Sequence, residues 1–274
     1  MSVIHKADFI ICPLFNFELK DETGQEFQIL DLVRLRRIKS EELKKLKKHP
    51  MQFLLGDSFS LISPKTFVLE IKTDDTKKID TLAYQVLLAM RLFKTGSVCY
   101  KHFLALEKSK LIYAFTINPP IPRWLKDNYV LDINQIDEIK KLLEKIIQIE
   151  LGKNKPFRVA CERFSRSFEE RRNDDKIIDL AIAFEALFTD EDTSRTNVMG
   201  DFIGLGCAML LGTSPEERKS IKQFLGKAFT IRNKIIHGSE VKSPIIVNNQ
   251  DYEMRDFAFQ FREFLRASIK KLIV

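Results

Sequence analysis

Residue types that commonly build metal and disulfide sites are scarce in this sequence. It contains four Cys and four His in 274 residues. The cysteines form no C-x-x-C pair, and the histidines do not cluster with them, so the sequence predicts neither a zinc site nor a disulfide framework. The cysteines are instead expected to be buried free thiols in a reducing compartment: Cys12, Cys99, Cys161 and Cys207.

Long apolar runs and targeting signals are also lacking. No stretch of about 18 consecutive apolar residues occurs, which argues against a membrane-spanning helix. The segment from Met1 to Asp8 does not have the form of a signal peptide. Neither an internal repeat nor a low-complexity segment is present. We therefore expect a cytoplasmic protein without a membrane partner, and nothing in the sequence calls for a cofactor.

Basic residues outnumber acidic ones. The 45 Lys and Arg against 38 Asp and Glu give a formal charge of +7 and a pI near 9.1. This excess favours an anionic partner, although a merely basic globular protein accounts for it equally, because the charges are interleaved and form no long tail. Phenylalanine is abundant, with 22 residues, and argues against disorder and for a large core.

The first half is predicted to be an α+β domain of unknown role, residues 1–130. Strands are predicted over 9–19, 27–35, 67–72, 98–106 and 110–117, and helices over 40–49 and 78–93. The first two strands are expected to pair as a hairpin. Pro13 is expected to break the first strand or to place it at a sheet edge. The stiff Asn118–Pro122 segment then ends the domain.

The second half, residues 134–274, is predicted to be an all-α helical bundle. Apolar residues recur there at three- and four-residue spacing. The predicted helices cover residues 134–151, 157–172, 177–188, 197–211, 215–237 and 251–272. The helix over 177–188 is apolar on nearly every side, so we expect it at the centre of the bundle.

Three charged residues of this half are candidates for supporting roles. Glu185 lies inside the central helix, and a buried carboxylate needs a partner. It either positions Arg232 or a neighbouring helix for function, or forms a purely structural ion pair. Arg163 and Arg166 belong to an arginine-rich helix and are candidate RNA-binding residues, since the guanidinium fork suits phosphate. Pairing with nearby acids such as Glu170 is the alternative.

The helix that Ser214 caps ends in a cluster of polar residues before the expected left-handed stop at Gly238. Asn233 and His237 are four residues apart and share a face. Arg232 lies about 140° from His237 at 3.6 residues per turn. The two converge only if the last turn distorts or if two copies of the helix face each other across a two-fold axis. As an alternative, Arg and His in a last turn simply cap the helix and stabilise its dipole.

Segments of the second half resemble one protein family. The string Arg-Asn-x-x-x-His-Gly at Arg232–Gly238 is similar to the Arg-x(4–6)-His motif of HEPN domains. Ile178–Phe188 resembles the Ala-Leu-Glu-Ala-Leu helix of the Apea-like HEPN branch. Met199–Gly212 stands where that branch has a small-residue helix ending in Leu-Gly. The resemblance covers residues 134–274, and residues 1–130 contain no recognised motif.

The resemblance implies a metal-independent endoribonuclease in which the RNA 2′-OH is the nucleophile. Arg232 is then expected to stabilise charge on the phosphate, and His237 to transfer protons. Asn233 is expected to orient the imidazole or a phosphate, and Lys234 to help bind RNA. We expect a homodimer through the C-terminal bundle, because the spacing of Arg232 and His237 favours a shared site.

A rival function comes from another class of protein. HEPN-like domains that only bind a nucleotide, an RNA or a protein also exist, so a non-catalytic dimeric module is the alternative. The presence of Arg232, Asn233 and His237 together favours catalysis, since a scaffold does not need the set. Many HEPN nucleases act as toxins or in phage defence, which makes an antitoxin or activator protein an expected further partner.

Overall fold

The chain divides into two compact units, Met1–Glu144 and Lys145–Val274. The computed structural model describes residues 7–20, 24–48, 60–73, 75–108, 110–116, 128–189 and 199–273. The first unit is rich in strands and the second is largely helical, which confirms the coarse fold class. The predicted domain limits at 130 and 134 stay a prediction. The predicted break at Asn118–Pro122 lies outside the described residues.

Seven strands in the described part of the first unit form an antiparallel sheet, and two more strands pair separately. The nine strands are β1 (Phe9–Phe15), β2 (Phe17–Lys20), β3 (Phe27–Leu30), β4 (Val33–Arg37), β5 (Phe67–Ile71), β6 (Cys99–Tyr100), β7 (His102–Glu107), β8 (Lys110–Thr116) and β9 (Tyr129–Asp132). The sheet order is β3-β4-β5-β1-β7-β8, with β6 beside β1, while β2 and β9 pair in parallel. Helix α1 (Ser40–Lys47) contacts β8, and α2 (Thr76–Phe93) contacts β5.

Two expectations about the first strands are wrong. The segment 9–19 does not pair with 27–35, because β3 and β4 pair with each other and β1 lies between β5 and β7. Pro13 therefore sits in a central strand, where it is paired with Val68 of β5. On the opposite edge of β1, residues up to Ile11 pair with β7, and Leu14 and Phe15 pair with β6. The residue without a backbone N–H thus stands where the ladder changes partner, which is how a central strand accommodates proline.

A buried ion cluster links α1 to the sheet. Arg36 of β4 is 1% exposed and donates to Glu42 of α1 at 2.7 and 2.9 Å and to Glu70 of β5 at 2.6 Å. Glu42 also accepts from the backbone N of Lys39, so the same carboxylate caps α1. Burial lowers the pKa of Arg36, but hydrogen bonds and charge from the two glutamates outweigh it, and the pKa is raised. Removing Arg36 would leave the Glu42 carboxylate without a cation and Glu70 with only the longer contacts to Arg34 and Lys72, at 3.8 and 3.9 Å.

The second unit consists mainly of helices, and a further helix crosses the division between the units. They are α3 (Ile136–Gln148), which spans the division between the units, α4 (Lys155–Arg166), α5 (Asn173–Phe188), α6 (Met199–Leu211), α7 (Pro215–Ile236) and α8 (Met254–Ile273). Most lie close to their predicted ranges, but α4 ends six residues before the predicted 172, and α8 begins three residues after the predicted 251. Helix α5 contacts α4, α6, α7 and α8, which confirms its predicted central position. Stacked rings fill the core: Phe184 lies on Phe261 at 5.0 Å, and Phe224 on Phe257 at 4.6 Å between centroids.

A short hairpin interrupts the helical unit, so the prediction of an all-α unit is too simple. Strands β10 (Ile245–Val247) and β11 (Gln250–Tyr252) pair between α7 and α8. Asn248 and Asn249 form the two-residue turn with φ of 52° and 59°, as a type I′ turn requires. Ile245 and Val247 are buried, and β10 contacts α7. The hairpin therefore lies beside the helix that carries the candidate site.

Candidate functional site

The candidate site is on α7, and the helix begins at a well-formed cap. Ser214 Oγ accepts a hydrogen bond from the backbone N of Glu217 at 3.2 Å, and Pro215 fills the first helical position. The Glu217 carboxylate accepts from the backbone N and the hydroxyl of Thr213, each at 2.7 Å. Ser214 and Glu217 together therefore satisfy free backbone N–H groups at the start of α7.

The end of α7 fixes the position of His237. Gly238 has a φ of +70°, as the predicted left-handed stop requires. Its N–H donates to Ile235 O at 3.1 Å, and the N–H of Ser239 donates to Lys234 O at 2.8 Å. This pair of hydrogen bonds is the Schellman arrangement. His237 is the residue just before Gly238, and its own N–H donates to Asn233 O at 3.0 Å.

Arg232 lies against Glu185 of α5. Arg232 Nη2 and Glu185 Oε1 are 3.1 Å apart, and the side chains are 24% and 20% exposed. Arg232 Nη1 also donates to Asn233 Oδ1 at 3.1 Å. Burial raises the pKa of Glu185, and the positive charge of Arg232 opposes that rise without cancelling it. Arg232 Nε is buried and has no hydrogen-bond partner in the described part of the chain, so the guanidinium keeps a donor unused.

His237 and Lys234 take no part in this ion pair. Both side chains are exposed. Within the described ranges, neither the His237 imidazole nor the Lys234 ammonium makes a hydrogen bond or an ion pair. Asn233 Oδ1 accepts from Arg232, and no hydrogen bond joins the Asn233 side chain to the His237 imidazole. One chain thus gathers Glu185, Arg232 and Asn233, and leaves His237 separate at the helix end.

Arg163 and Arg166 are engaged by carboxylates. Arg163 Nη1 donates to Asp179 Oδ1 of α5 at 2.7 Å. Arg166 Nε donates to Glu170 Oε1 at 3.0 Å and lies 3.5 Å from Asp179 Oδ2. Burial raises the pKa of Asp179, while the hydrogen bond from Arg163 opposes the rise. Both arginines therefore form ion pairs with nearby acids, as the alternative interpretation of the sequence expected. Asp179 was not among the partners named from the sequence. Arg166 is 58% exposed and keeps donors that face solvent.

Two features near the site were not singled out from the sequence. Lys219 and Lys227 are exposed on α7, and the hairpin β10–β11 stands beside them. The sequence carries a signal for each. No Asp or Glu occurs from Arg218 to Ser239, and Asn248-Asn249 between short apolar runs is a typical hairpin turn.

Metal ligands, thiols and apolar helices are the other features that could indicate a function. Among the described residues, no group of three or more His, Cys, Asp or Glu side chains is arranged to hold a metal ion. All four cysteines are buried and none of them forms a disulfide, as predicted. Burial raises the pKa of Cys161 to about 12 and that of Cys207 to about 11, so neither thiol is a ready nucleophile. None of the described helices is long and apolar enough to cross a membrane.

Comparisons of the chain with protein-family models, with curated proteins and with solved structures found no match. The resemblance to HEPN domains therefore depends on the residues of α5, α6 and α7 alone. Any assignment of function has to come from the arrangement of these side chains.

Proposed function

We propose that this protein is a metal-independent endoribonuclease of the HEPN type, with its site at the C-terminal end of α7. The observation that supports this most directly is the contrast between two polar side chains on one helix. Arg232 is paired with Glu185 while its Nε has no hydrogen-bond partner among the described residues, and the His237 side chain is exposed. A fixed guanidinium and a free imidazole are the groups that phosphodiester cleavage needs.

In this mechanism His237 takes the proton from the 2′-OH, and the 2′-oxygen attacks the adjacent phosphorus. Arg232 donates hydrogen bonds to the crowded phosphate oxygens as negative charge builds on them. The bond from phosphorus to the 5′-oxygen breaks, and that oxygen receives a proton from an imidazolium. The products are a 2′,3′-cyclic phosphate and a 5′-OH. Asn233 holds the Arg232 side chain through its Oδ1, and Lys234 adds charge for RNA binding.

The proposed enzyme acts as a homodimer. Arg232 and His237 lie about 140° apart around α7, so a second copy has to bring its own imidazole or guanidinium to the cleft. Helix α6, which packs on α7, presents Phe202, Leu205 and Met209 to solvent, each more than half exposed. These residues recur at three- and four-residue spacing and form an apolar face that a second copy can cover.

A second candidate function is a non-catalytic HEPN-like module that binds a nucleotide, RNA or protein. The Arg232–Glu185 ion pair favours it, because a paired guanidinium also serves as a structural tie between α5 and α7. In either function we propose a cytoplasmic protein that an antitoxin or activator controls, acting as a toxin or in phage defence. Arg163 and Arg166 belong to this proposal as accessory RNA contacts through their remaining donors.

Cleavage assays on RNA test the proposal. His237→Ala should lower the rate about 10²–10⁴-fold, the range for one general acid–base. Arg232→Ala should lower it about 10²–10³-fold, as for one lost donor to developing charge. Arg232→Lys keeps a cation beside Glu185 but not the planar fork, so it should not restore the rate. Arg158→Ala, which breaks only the exposed pair with Glu162, is the matched arginine control and should cleave normally.

Substrate and metal controls complete this test. RNA with 2′-O-methyl at the cut site should resist because the nucleophile is blocked, and EDTA should have no effect. Full activity of His237→Ala, or cleavage of 2′-O-methyl RNA at the normal rate, would overturn the nuclease proposal. If wild type arrests growth when expressed in cells and both alanine variants do not, an enzyme is favoured over a scaffold.

A further inference from the structure

Helix α7 has a strongly one-sided charge. Its two acidic residues, Glu216 and Glu217, lie in the first turn, where they stabilise the positive end of the helix dipole. From Arg218 to Ser239 the sequence has no Asp or Glu. The basic residues of this stretch are Arg218, Lys219, Lys222, Lys227, Arg232 and Lys234. Such a run gives one helix a positive potential along most of its length.

Part of that charge is compensated by other elements, and part is not. Arg232 pairs with Glu185, and Lys222 lies 3.8 Å from Asp201. Lys219, Lys227 and Lys234 are exposed and form no ion pair with any described residue. Their spacing of eight and seven residues puts them on one side of α7, about 12 Å and then about 10 Å apart along the axis. His237 follows Lys234 by three residues on the same side.

The β10–β11 hairpin lies beside Lys219 and Lys227 and forms the second wall of a groove along α7. A depression of about 690 Å³ lies between α7 and the hairpin, and its lining includes Lys219 and Lys227 on one side and Ile246 and Asn249 on the other. Asn248 Nδ2 donates to Ser220 Oγ at 2.8 Å and to Ser220 O at 3.2 Å, which fastens the turn to α7. We call this depression, together with Lys234, the α7 groove.

We propose that the α7 groove binds the sugar–phosphate backbone of single-stranded RNA and leads it toward His237. This inference rests on the proposed function and adds the path of the substrate. Uncompensated lysines in a line can contact successive phosphates of one strand, and backbone contacts of this kind fix register without reading sequence. Ile246 is 60% exposed and offers an apolar surface to a base. Glu216 lines the groove at its far end, and its negative charge directs the strand away from there.

Binding has to be measured separately from cleavage. We suggest fluorescence anisotropy with a labelled single-stranded RNA that carries 2′-O-methyl groups, in the His237→Ala background, at several salt concentrations. The test variant is Lys219→Ala/Lys227→Ala. The matched control is Lys270→Ala/Lys271→Ala, which removes two cations from the last turn of α8 in the same unit.

Salt dependence gives the expected size of the effect. Each phosphate contact on a single strand contributes about 0.7 to the slope of log K against log salt. Losing two contacts should therefore flatten the slope by about 1.4 and weaken binding about 25-fold at 0.1 M salt, by extrapolation from 1 M. The control double variant should keep the slope and lie within about twofold of the starting affinity.

An unchanged salt slope in the test variant, or an equal loss of RNA affinity in the control variant, would overturn the inference. It would also be overturned if poly-glutamate binding depended equally on Lys219 and Lys227, because that result would indicate an acidic polypeptide as the partner. The readout also separates this inference from the nuclease proposal. Loss of binding in a protein that never cleaves RNA supports the groove and not the enzyme. Normal binding by the test variant of a protein that does cleave RNA supports the enzyme and not the groove.

Discussion

Replacing Arg232 with Ala should destabilise the second unit in a way that depends on pH. The variant leaves Glu185 of α5 only one fifth exposed and without its cation. A hydrogen bond or ion pair to a charged group contributes about 1.5–3 kcal/mol when it is shielded from water. We therefore expect the free energy of unfolding to fall by about 1.5–3 kcal/mol at pH 7.5. His237→Ala should leave it nearly unchanged, because the imidazole is exposed and has no partner among the described residues.

The pH dependence follows from the pKa of Glu185. Burial raises this pKa above its ordinary value of 4.5, so the folded state favours the protonated carboxyl. The stability contributed by Glu185 is present below pH 4.5 and is lost as pH rises through the folded pKa. Without Arg232 the pKa rises further, and the loss grows. The difference between wild type and Arg232→Ala should shrink at pH 4, because the Glu185 carboxyl is then protonated in the folded state and no longer needs a cation.

Urea unfolding followed by circular dichroism at pH 4 and pH 7.5 measures both quantities. Glu185→Gln/Arg232→Ala should show no extra deficit at the higher pH, because the titrating group is gone. Arg158→Ala, which breaks the exposed pair with Glu162, should lose only about 0.3–0.5 kcal/mol at pH 7.5. A deficit for Arg232→Ala that is the same at both pH values, or absent at both, would refute the role given to Glu185.

Three other variants test the rest of the structure. Arg36→Met should cost about 3–5 kcal/mol in urea unfolding because it removes the cation that the buried carboxylates of Glu42 and Glu70 share. Adding Glu42→Gln and Glu70→Gln should recover part of that loss, and a cost below about 1 kcal/mol would contradict the cluster. Asn249→Val should cost about 1–2 kcal/mol in the same assay through its positive φ, while Asn249→Gly should cost nothing, and equal stability of the two would argue against the turn. We expect wild type to be a dimer by light scattering at micromolar concentration and Leu205→Lys to be a monomer, and a monomeric wild type that cleaves RNA would rule out the shared site.

The sequence predicts the helices well and the sheet poorly, for a physical reason. The caps at Ser214 and Gly238 and the apolar stripe of α7 are local signals, and the helix begins and ends where they indicate. Strand pairing is decided by distant residues. The 27–35 segment alternates like one strand, yet it folds into β3 and β4, and β1 pairs with β5 and β7. Nothing local in β1 specifies those partners, so its pairing could not be predicted.

Ion pairs show the same division between local and distant information. Pairing of Arg166 with Glu170, four residues away on one turn, was an open alternative in the sequence and is present. The Arg163–Asp179 contact joins two helices, and its prediction requires their crossing geometry. Glu185 is an intermediate case. Its place in an apolar helix requires a cation, and Arg232 meets that requirement, but the helix periodicity alone does not identify which cation comes close.

In the proposed nuclease, the arrangement of side chains on α7 makes cleavage depend on dimer formation. Arg232 is turned toward Glu185, while Lys234 and His237 continue the exposed row that starts at Lys219. A strand bound along that row reaches His237 without passing over the guanidinium, so a single chain offers the imidazole but not the cation at the same phosphate. Leu205→Lys should therefore keep RNA affinity and its salt slope while cleavage falls as far as in Arg232→Ala. A monomeric variant that cleaves normally would mean that the last turn of α7 distorts on binding RNA and brings both groups together within one chain.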